Sequence, residues 1–290
     1  MLRRGDHGDE VRALQTALVQ LGYALPRWGV DGDLGSETLD ALAGFLRAHG
    51  ALVDDDANAV SDAELALVQR TAAAIAAAPI GPRLDSGRFN DLRAAASQER
   101  VGGRRAWTDI TGITLHQTAC MLGERPQRWQ SVAAHLGVTR GGQVMWMHEL
   151  EQVVWHGNGL NASTIGIEMD GEYAGIEGDD RTFWRPADEP GRTPQAPTDA
   201  LVQATIATVV WLCDEVKRHG GRVAHLYAHR QASNTRESDP GSALWQRVAL
   251  VLLSRADLAL DDGGPGYKVG SGLPIPVEWD PRRVGYTYRA

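Results

Sequence analysis

Four polar residues carry the chemistry this chain could do. His229 leaves the end of the apolar run Val223–Ala228, a polar loop follows, and Asp239 sits against Pro240-Gly241. Imidazole nitrogen and carboxylate oxygen both suit a borderline metal such as zinc. Alone, the two make either a surface hydrogen bond or half of a metal site. Ile113-Thr114-Leu115-His116-Gln117-Thr118 alternates with period two, which sets His116 on a polar strand face while Ile113 and Leu115 face the core. Ile165-Gly166-Ile167-Glu168-Met169-Asp170 alternates likewise and sets Glu168 and Asp170 opposite its apolar face. His116, His229 and Asp239 are therefore a candidate ligand set. Three protein ligands with an open fourth position is the composition of a catalytic zinc site, where water loses a proton near neutral pH. Glu168 is not needed as a ligand and could accept that proton and pass it to a leaving amine. Each residue also has a plainer reading, a strand histidine as a satisfied polar contact and a lone glutamate as a solvated charge.

Other elements must hold these residues in place. From Trp107 onward short strands alternate with glycines and helices, an α/β grammar. Asn90–Ala96 and Trp129–Leu136 read as short helices. Arg140-Gly141-Gly142-Gln143 is a hairpin turn before a returning strand, Val144–His148, and Val153–Gly157 is a further short edge. Thr198–His219 is the longest helix, with Leu201, Ile206, Val209, Val210 and Cys213 at helical spacing and Gly220-Gly221 behind it. Ala243–Leu253 is a final helix. Residues 177–199 read as an exposed insertion, and the Gly/Pro-rich tail with Trp279, Tyr286 and Tyr288 as an irregular cover. Ahead of this domain, Val11, Leu14, Leu18 and Leu21 form one apolar stripe, with Asp9 and Glu10 in the first turn and Gly22 at C′. A second helix follows Ser36-Glu37-Thr38 and carries Leu39, Leu42 and Phe45; a third carries Leu65, Val68 and Ile75.

The totals exclude several classes. A net charge of −8 over 290 residues, with no basic tract, argues against a nucleic-acid partner. No apolar run approaches the roughly 20 residues needed to span a bilayer, so no membrane insertion is expected. The start of the chain lacks the apolar core of a signal peptide, so synthesis in the cytosol is expected, with any role outside it following release or injection. Two cysteines make no disulfide framework; Cys213 reads as a core thiol and Cys120 as buried structure near a candidate ligand.

Residues 113–119 (ITLHQTA), 131–149 (SVAAHLGVTRGGQVMWMHE), 153–175 (VVWHGNGLNASTIGIEMDGEYAG) and 227–241 (YAHRQASNTRESDPG) together resemble the zinc N-acetylmuramoyl-L-alanine amidases of the type-2 amidase/peptidoglycan recognition protein superfamily. The resemblance implies an α/β fold with a central mixed β-sheet flanked by helices. It implies Zn²⁺ on His116, His229 and Asp239, Glu168 as general base and then acid, and a substrate groove lined by His135, Trp155, His156 and Asn158. The reaction implied is hydrolysis of the amide between N-acetylmuramic acid and L-alanine of the stem peptide, in a peptidoglycan partner met through glycan strand and peptide. Many members carry a lysine two residues before the third ligand, where it steadies the oxyanion; Glu237 stands there, and Arg236 is the neighbouring cation for that role. Residues 2–23 and 29–50 resemble the small three-helix peptidoglycan-binding domain found beside many wall hydrolases, although Leu46 stands where glutamine is frequent. The expected organisation is a binding bundle at 1–78, a linker at 79–105, a catalytic domain at 106–258 and a covering tail at 259–290, in a monomer. The alternative is a non-catalytic recognition module on the same fold.

Overall fold

The computed structural model describes residues 1–49, 51, 53, 58–76, 88–184 and 191–284. The Ile75 side chain, the stretch 77–87, residues 185–190 of the insertion, and Tyr286 and Tyr288 lie outside the described residues. The chain opens with β1 (Leu2–Arg3), α1 (Asp9–Gln20), α2 (Ser36–Ala48), β2 (Ala59–Val60) and α3 (Asp62–Ala76), with β1 antiparallel to β2. Val11, Leu14, Leu18 and Leu21 are buried against Leu42, Phe45, Leu46, Leu65 and Val68. Each such side chain removed from water contributes about 1.5–3 kcal/mol, which short helices need because isolated ones are marginal. Gly22 ends α1 at φ 85°, and its bare Cα lets α1 approach the second unit: a Cβ there would come within 2.7 Å of Val202. Tyr23 extends that contact, donating its hydroxyl hydrogen to Asp199 at 3.2 Å beneath the Arg247 guanidinium.

The second unit is built on a six-stranded mixed sheet. Its elements in chain order are β3 (Phe89–Asp91), β4 (Val101–Arg104), β5 (Gly112–Gln117), β6 (Leu136–Val138), β7 (Val144–Trp146), β8 (Gln152–Val154), β9 (Thr164–Met169), α4 (Asp199–Arg218) and β10 (His225–Ala228). The sheet order is β10-β5-β9-β6-β7-β3; only the β6/β7 hairpin is antiparallel, while β4 and β8 form a separate ribbon. A central mixed sheet flanked by helices is the architecture the sequence pattern implies. α4 covers one face with Leu201, Val202, Val209, Leu212 and Val216, its N-terminus capped by Thr198, whose hydroxyl accepts from the Leu201 amide. The last helix runs Ser242–Leu244, Trp245–Ala249 and Leu250–Leu253, with a π turn in the middle. Cys213 packs against this core, and burial pushes its thiol up to about 12.

Three expectations change. Asn90–Ala96 is no helix: its first residues belong to β3, which pairs in parallel with β7 at the sheet edge. The described residues of 79–105 are thus part of the second unit, not a linker, because backbone at a sheet edge pairs wherever a strand can reach it. Trp129–Leu136 is also no helix. A 3-10 turn at Pro126–Trp129 leads through turns to β6, since Gly137 must lie flat under the Trp129 ring: a Cβ there would sit 2.0 Å from it. Both faces of β5 are buried, so its polar face looks into the protein.

Candidate active site

The C-terminal ends of three adjacent parallel strands place the polar residues in one row. β5 pairs with β9 so that His116 lies opposite Glu168, and β10 pairs with β5 as far as Ala228–Leu115, leaving His229 as the next residue beside His116. The outer end of parallel strands is where an α/β sheet offers side chains to a ligand. Asp239 arrives from the loop after β10. His116 Nδ1 stands 3.0 Å from His229 Nδ1, and Asp239 Oδ2 stands 2.9 Å from His229 Nδ1 and 3.7 Å from His116 Nδ1. All three residues are buried, and their ligand atoms lie within 4.8 Å of one another.

This donor set fits a zinc ion. Ligands on bonds of 2.0–2.1 Å around a tetrahedral centre stand about 3.3 Å apart, close to the separations here. Two imidazole nitrogens and one carboxylate oxygen converge, with each ring's other nitrogen engaged elsewhere: His229 Nε2 faces Asn158 Oδ1 at 3.2 Å, and His116 Nε2 faces His156 Nδ1 at 3.0 Å. Burial, then the neighbouring His229, lowers the pKa of His116, which favours the neutral ring that ligates metals. Burial would raise the Asp239 carboxyl, but its contacts with the two imidazoles outweigh it and hold the group well below the ordinary carboxylate range. Asp239 is an anion here.

Glu168 has the opposite character. Burial, then the Asp239 charge, raises its pKa well above the ordinary value, with Arg236 opposing. Its Oε2 is buried without a hydrogen bond among the described residues. An orphaned buried carboxylate oxygen beside a ligand cluster is a costly feature, and such atoms collect at functional sites. Gly137 pairs with Glu168 on the side away from His116, and the Trp129 ring lies over that glycine.

The other expected site residues divide. Trp155 is 54% exposed, its indole over Gly102 of β4, where a Cβ would come 2.4 Å from Nε1. Asn158 is exposed, at φ 53°, and reaches His229. His135 and His156, expected in the groove, are buried instead. His135 Nδ1 accepts from the Gly166 amide at 3.0 Å and its Nε2 lies 2.9 Å from the Gln152 carbonyl, so both nitrogens are spent on backbone. Arg236 and Glu237 are exposed on the loop, and the Glu237 carbonyl accepts from Arg230. The acid in the lysine's place therefore projects into solvent, with its backbone doing the structural work.

One functional residue escaped the reading of the sequence. Gln117 donates from Nε2 to the carbonyls of Tyr173 at 3.0 Å, Ser238 at 2.7 Å and Pro240 at 3.2 Å, and its Oε1 accepts from the Tyr173 amide at 2.7 Å. Its own amide donates to Asp239 Oδ1 at 2.8 Å, leaving Oδ2 for the histidine side. The signal was present: a glutamine on the same strand face as Ile113 and Leu115 is a polar group on an apolar face, which needs partners. The tail also bears on the site. Leu273 donates to the Arg230 carbonyl at 2.7 Å, Val269 to that of Gln231 at 2.8 Å, and Arg230 lies 4.8 Å over the ring of buried Trp279.

Residues 106–242 match the family described as Amidase_2, N-acetylmuramoyl-L-alanine amidase. A probable N-acetylmuramoyl-L-alanine amidase of Bacillus licheniformis is 39% identical over 54 residues, 19% of this chain and 15% of that protein. The type VI secretion system spike protein VgrG3 of Vibrio cholerae is 47% identical over 47 residues, 16% of this chain and 5% of that protein. The chain thus spans only a small part of these relatives. Among solved structures, Drosophila PGRP-LB superposes at TM-score 0.41 with 12% identity, covering 61% of this chain and 97% of that one. The endolysin amidase LysCS of Clostridium intestinale gives 0.37 with 15% identity, over 56% and 88%.

Proposed function

Residues 106–242 matching the Amidase_2 family, we propose that the chain is a zinc-dependent peptidoglycan amidase. It cleaves the amide between the lactyl group of N-acetylmuramic acid and L-alanine of the stem peptide. The observation that carries this reading is the buried His116, His229 and Asp239 cluster with Glu168 one strand away, its Oε2 without a hydrogen bond among the described residues. A recognition module needs neither group.

His116 Nδ1, His229 Nδ1 and an Asp239 oxygen would hold the zinc, which when bound supplies a Lewis acid for the scissile carbonyl and lowers the pKa of water. Glu168 accepts the proton of the attacking water, a task suited to a carboxylate whose basicity burial has raised. It then returns that proton to the departing alanine nitrogen, without which the amine could not leave. Arg236, an exposed cation on the same loop, is the residue assigned to oppose negative charge that develops on the carbonyl oxygen. Trp155 and Asn158 are placed to meet glycan or peptide at the rim. The N-terminal helical unit tethers the enzyme to the polymer and raises local substrate concentration.

Digestion of purified sacculi tests this. Mass spectrometry should find new amino termini on L-alanine and muramyl ends free of peptide, and a chelator should abolish both. His116→Ala, His229→Ala and Asp239→Ala should each lose stoichiometric zinc. A chain that holds no zinc and releases no peptide would be a recognition module.

A further inference from the structure

Two imidazoles and one glycine form a stack behind the metal-facing side of His116, and all of them are buried. His116 Nε2 lies 3.0 Å from His156 Nδ1, the rings meeting edge-on at 5.1 Å and 89°. His156 Nε2 lies 3.2 Å from the backbone carbonyl of Thr164. Beyond it His135 packs against the same ring at 5.5 Å and 74°. The His156 ring fits there only because residue 166 of β9 is glycine: a Cβ would stand 2.5 Å from its Cγ and 2.6 Å from its Nδ1. Gly166 has no positive φ to explain it. Its reason is space.

The direction of each hydrogen bond follows from the one group that has no choice. A carbonyl only accepts, so His156 Nε2 must carry the proton. In a neutral ring the other nitrogen is then a lone pair, so His156 Nδ1 accepts and His116 Nε2–H donates. That leaves the lone pair of His116 on Nδ1, the atom that faces His229 and Asp239.

We propose that His156 is a positioning residue which, seated by Gly166 and anchored on the Thr164 carbonyl, fixes the tautomer and orientation of the ligand His116. The inference rests on the zinc reading and replaces a substrate-contact role for His156. It also accounts for the Ile165-Gly166-Ile167-Glu168 spacing. The residue that makes room for the relay and the general base are neighbours on one face of one strand. The usual partner behind a metal-bound histidine is a carboxylate or carbonyl; here the carbonyl acts through an intervening imidazole.

The test uses the full chain. Side-chain nitrogen-15 spectra of the unaltered protein, zinc-loaded and after chelation, should show His116 carrying its proton on Nε2 in both states. Zinc affinity, measured by competition with a chromophoric chelator, should fall about 10–100-fold in His156→Phe. His156→Gln should recover most of that loss, because its amide oxygen can accept from His116 while its NH₂ donates to Thr164. Gly166→Ala should weaken zinc with His156 still present. The proposal is overturned by a His116 proton on Nδ1 after chelation, by a folded His156→Phe with unchanged zinc affinity, by His156→Gln binding as weakly as His156→Phe, or by an unaffected Gly166→Ala. If His156→Phe does not fold, the tautomer and Gly166→Ala decide. An unaltered chain that binds no zinc refutes the zinc reading itself, while the tautomer spectrum still judges the relay.

Discussion

Glu168 and Asp239 are two carboxylates in one site with opposite fates, and the difference lies in their partners. Asp239 receives the Gln117 amide and stands between two imidazoles; Glu168 Oε2 receives no hydrogen bond among the described residues. In the chelated chain the folded state holds the Glu168 proton at pH values where the unfolded chain has released it. This contribution to stability is fully present below the ordinary carboxylate range and is lost as pH rises through the raised folded value. Glu168→Gln should therefore raise the melting temperature of the chelated chain near pH 7, with the gain vanishing near pH 4. The same variant should lose about 10²–10⁴ in turnover while keeping zinc. In the wild type, the acid limb of kcat/KM should lie above the ordinary carboxylate range, because the base form of Glu168 appears only above its raised value. An acid limb unmoved in a still-active Glu168→Gln would assign that limb to another group.

At the scale of elements, β9 does most of the organising. Its register sets Glu168 between His116 and Gly137, and its glycine admits His156. The period-two pattern of the sequence showed which face the Glu and the histidine share, because alternation is local. It did not show that this face is covered, because the covering residues come from distant loops: Trp129 before β6 and His156 after β8. Gly137→Ala tests that cover. A Cβ 2.0 Å from a fully buried indole cannot be absorbed by a flexible side chain, so a loss of at least about 3 kcal/mol is expected in denaturant titration. Any folded fraction should show the acid limb shifted down, as water reaches Glu168.

The whole molecule adds the tail and the inter-unit contact. Leu260, Ile275 and Trp279 belong to the main core, and residues 269–274 brace the turn that presents His229. Losing three such side chains costs about 2–5 kcal/mol each, which exceeds the 5–15 kcal/mol that holds a typical domain together or comes close to it. A chain ending at residue 258 should show no cooperative unfolding transition, and Trp279→Ala should unfold at least about 3 kcal/mol more easily and bind zinc more weakly. A truncated chain that melts cooperatively and keeps zinc would make the tail dispensable. On the other side, Tyr23, Asp199 and Arg247 join the N-terminal helices to α4 and the last helix.

By itself the sequence determined the candidate ligand types, the strand faces that carry them and the α/β class, since spacing and periodicity are properties of neighbouring residues, while the mixed sheet was implied by the family resemblance. Ile113, Leu115 and the alternation around Glu168 are enough for that. The tertiary structure alone decided which histidines meet a ligand and which meet each other. His135 and His156 differ from His116 in no local respect that spacing could reveal, and Gln117 stands out only as a polar residue on the apolar face of its strand. Their roles depend on what stands opposite them: a Gly166 with no Cβ, a carbonyl at Thr164, and three carbonyls converging on one amide. Those partners are brought from 8 to 123 residues away by the sheet, and only the packed fold sets their distances.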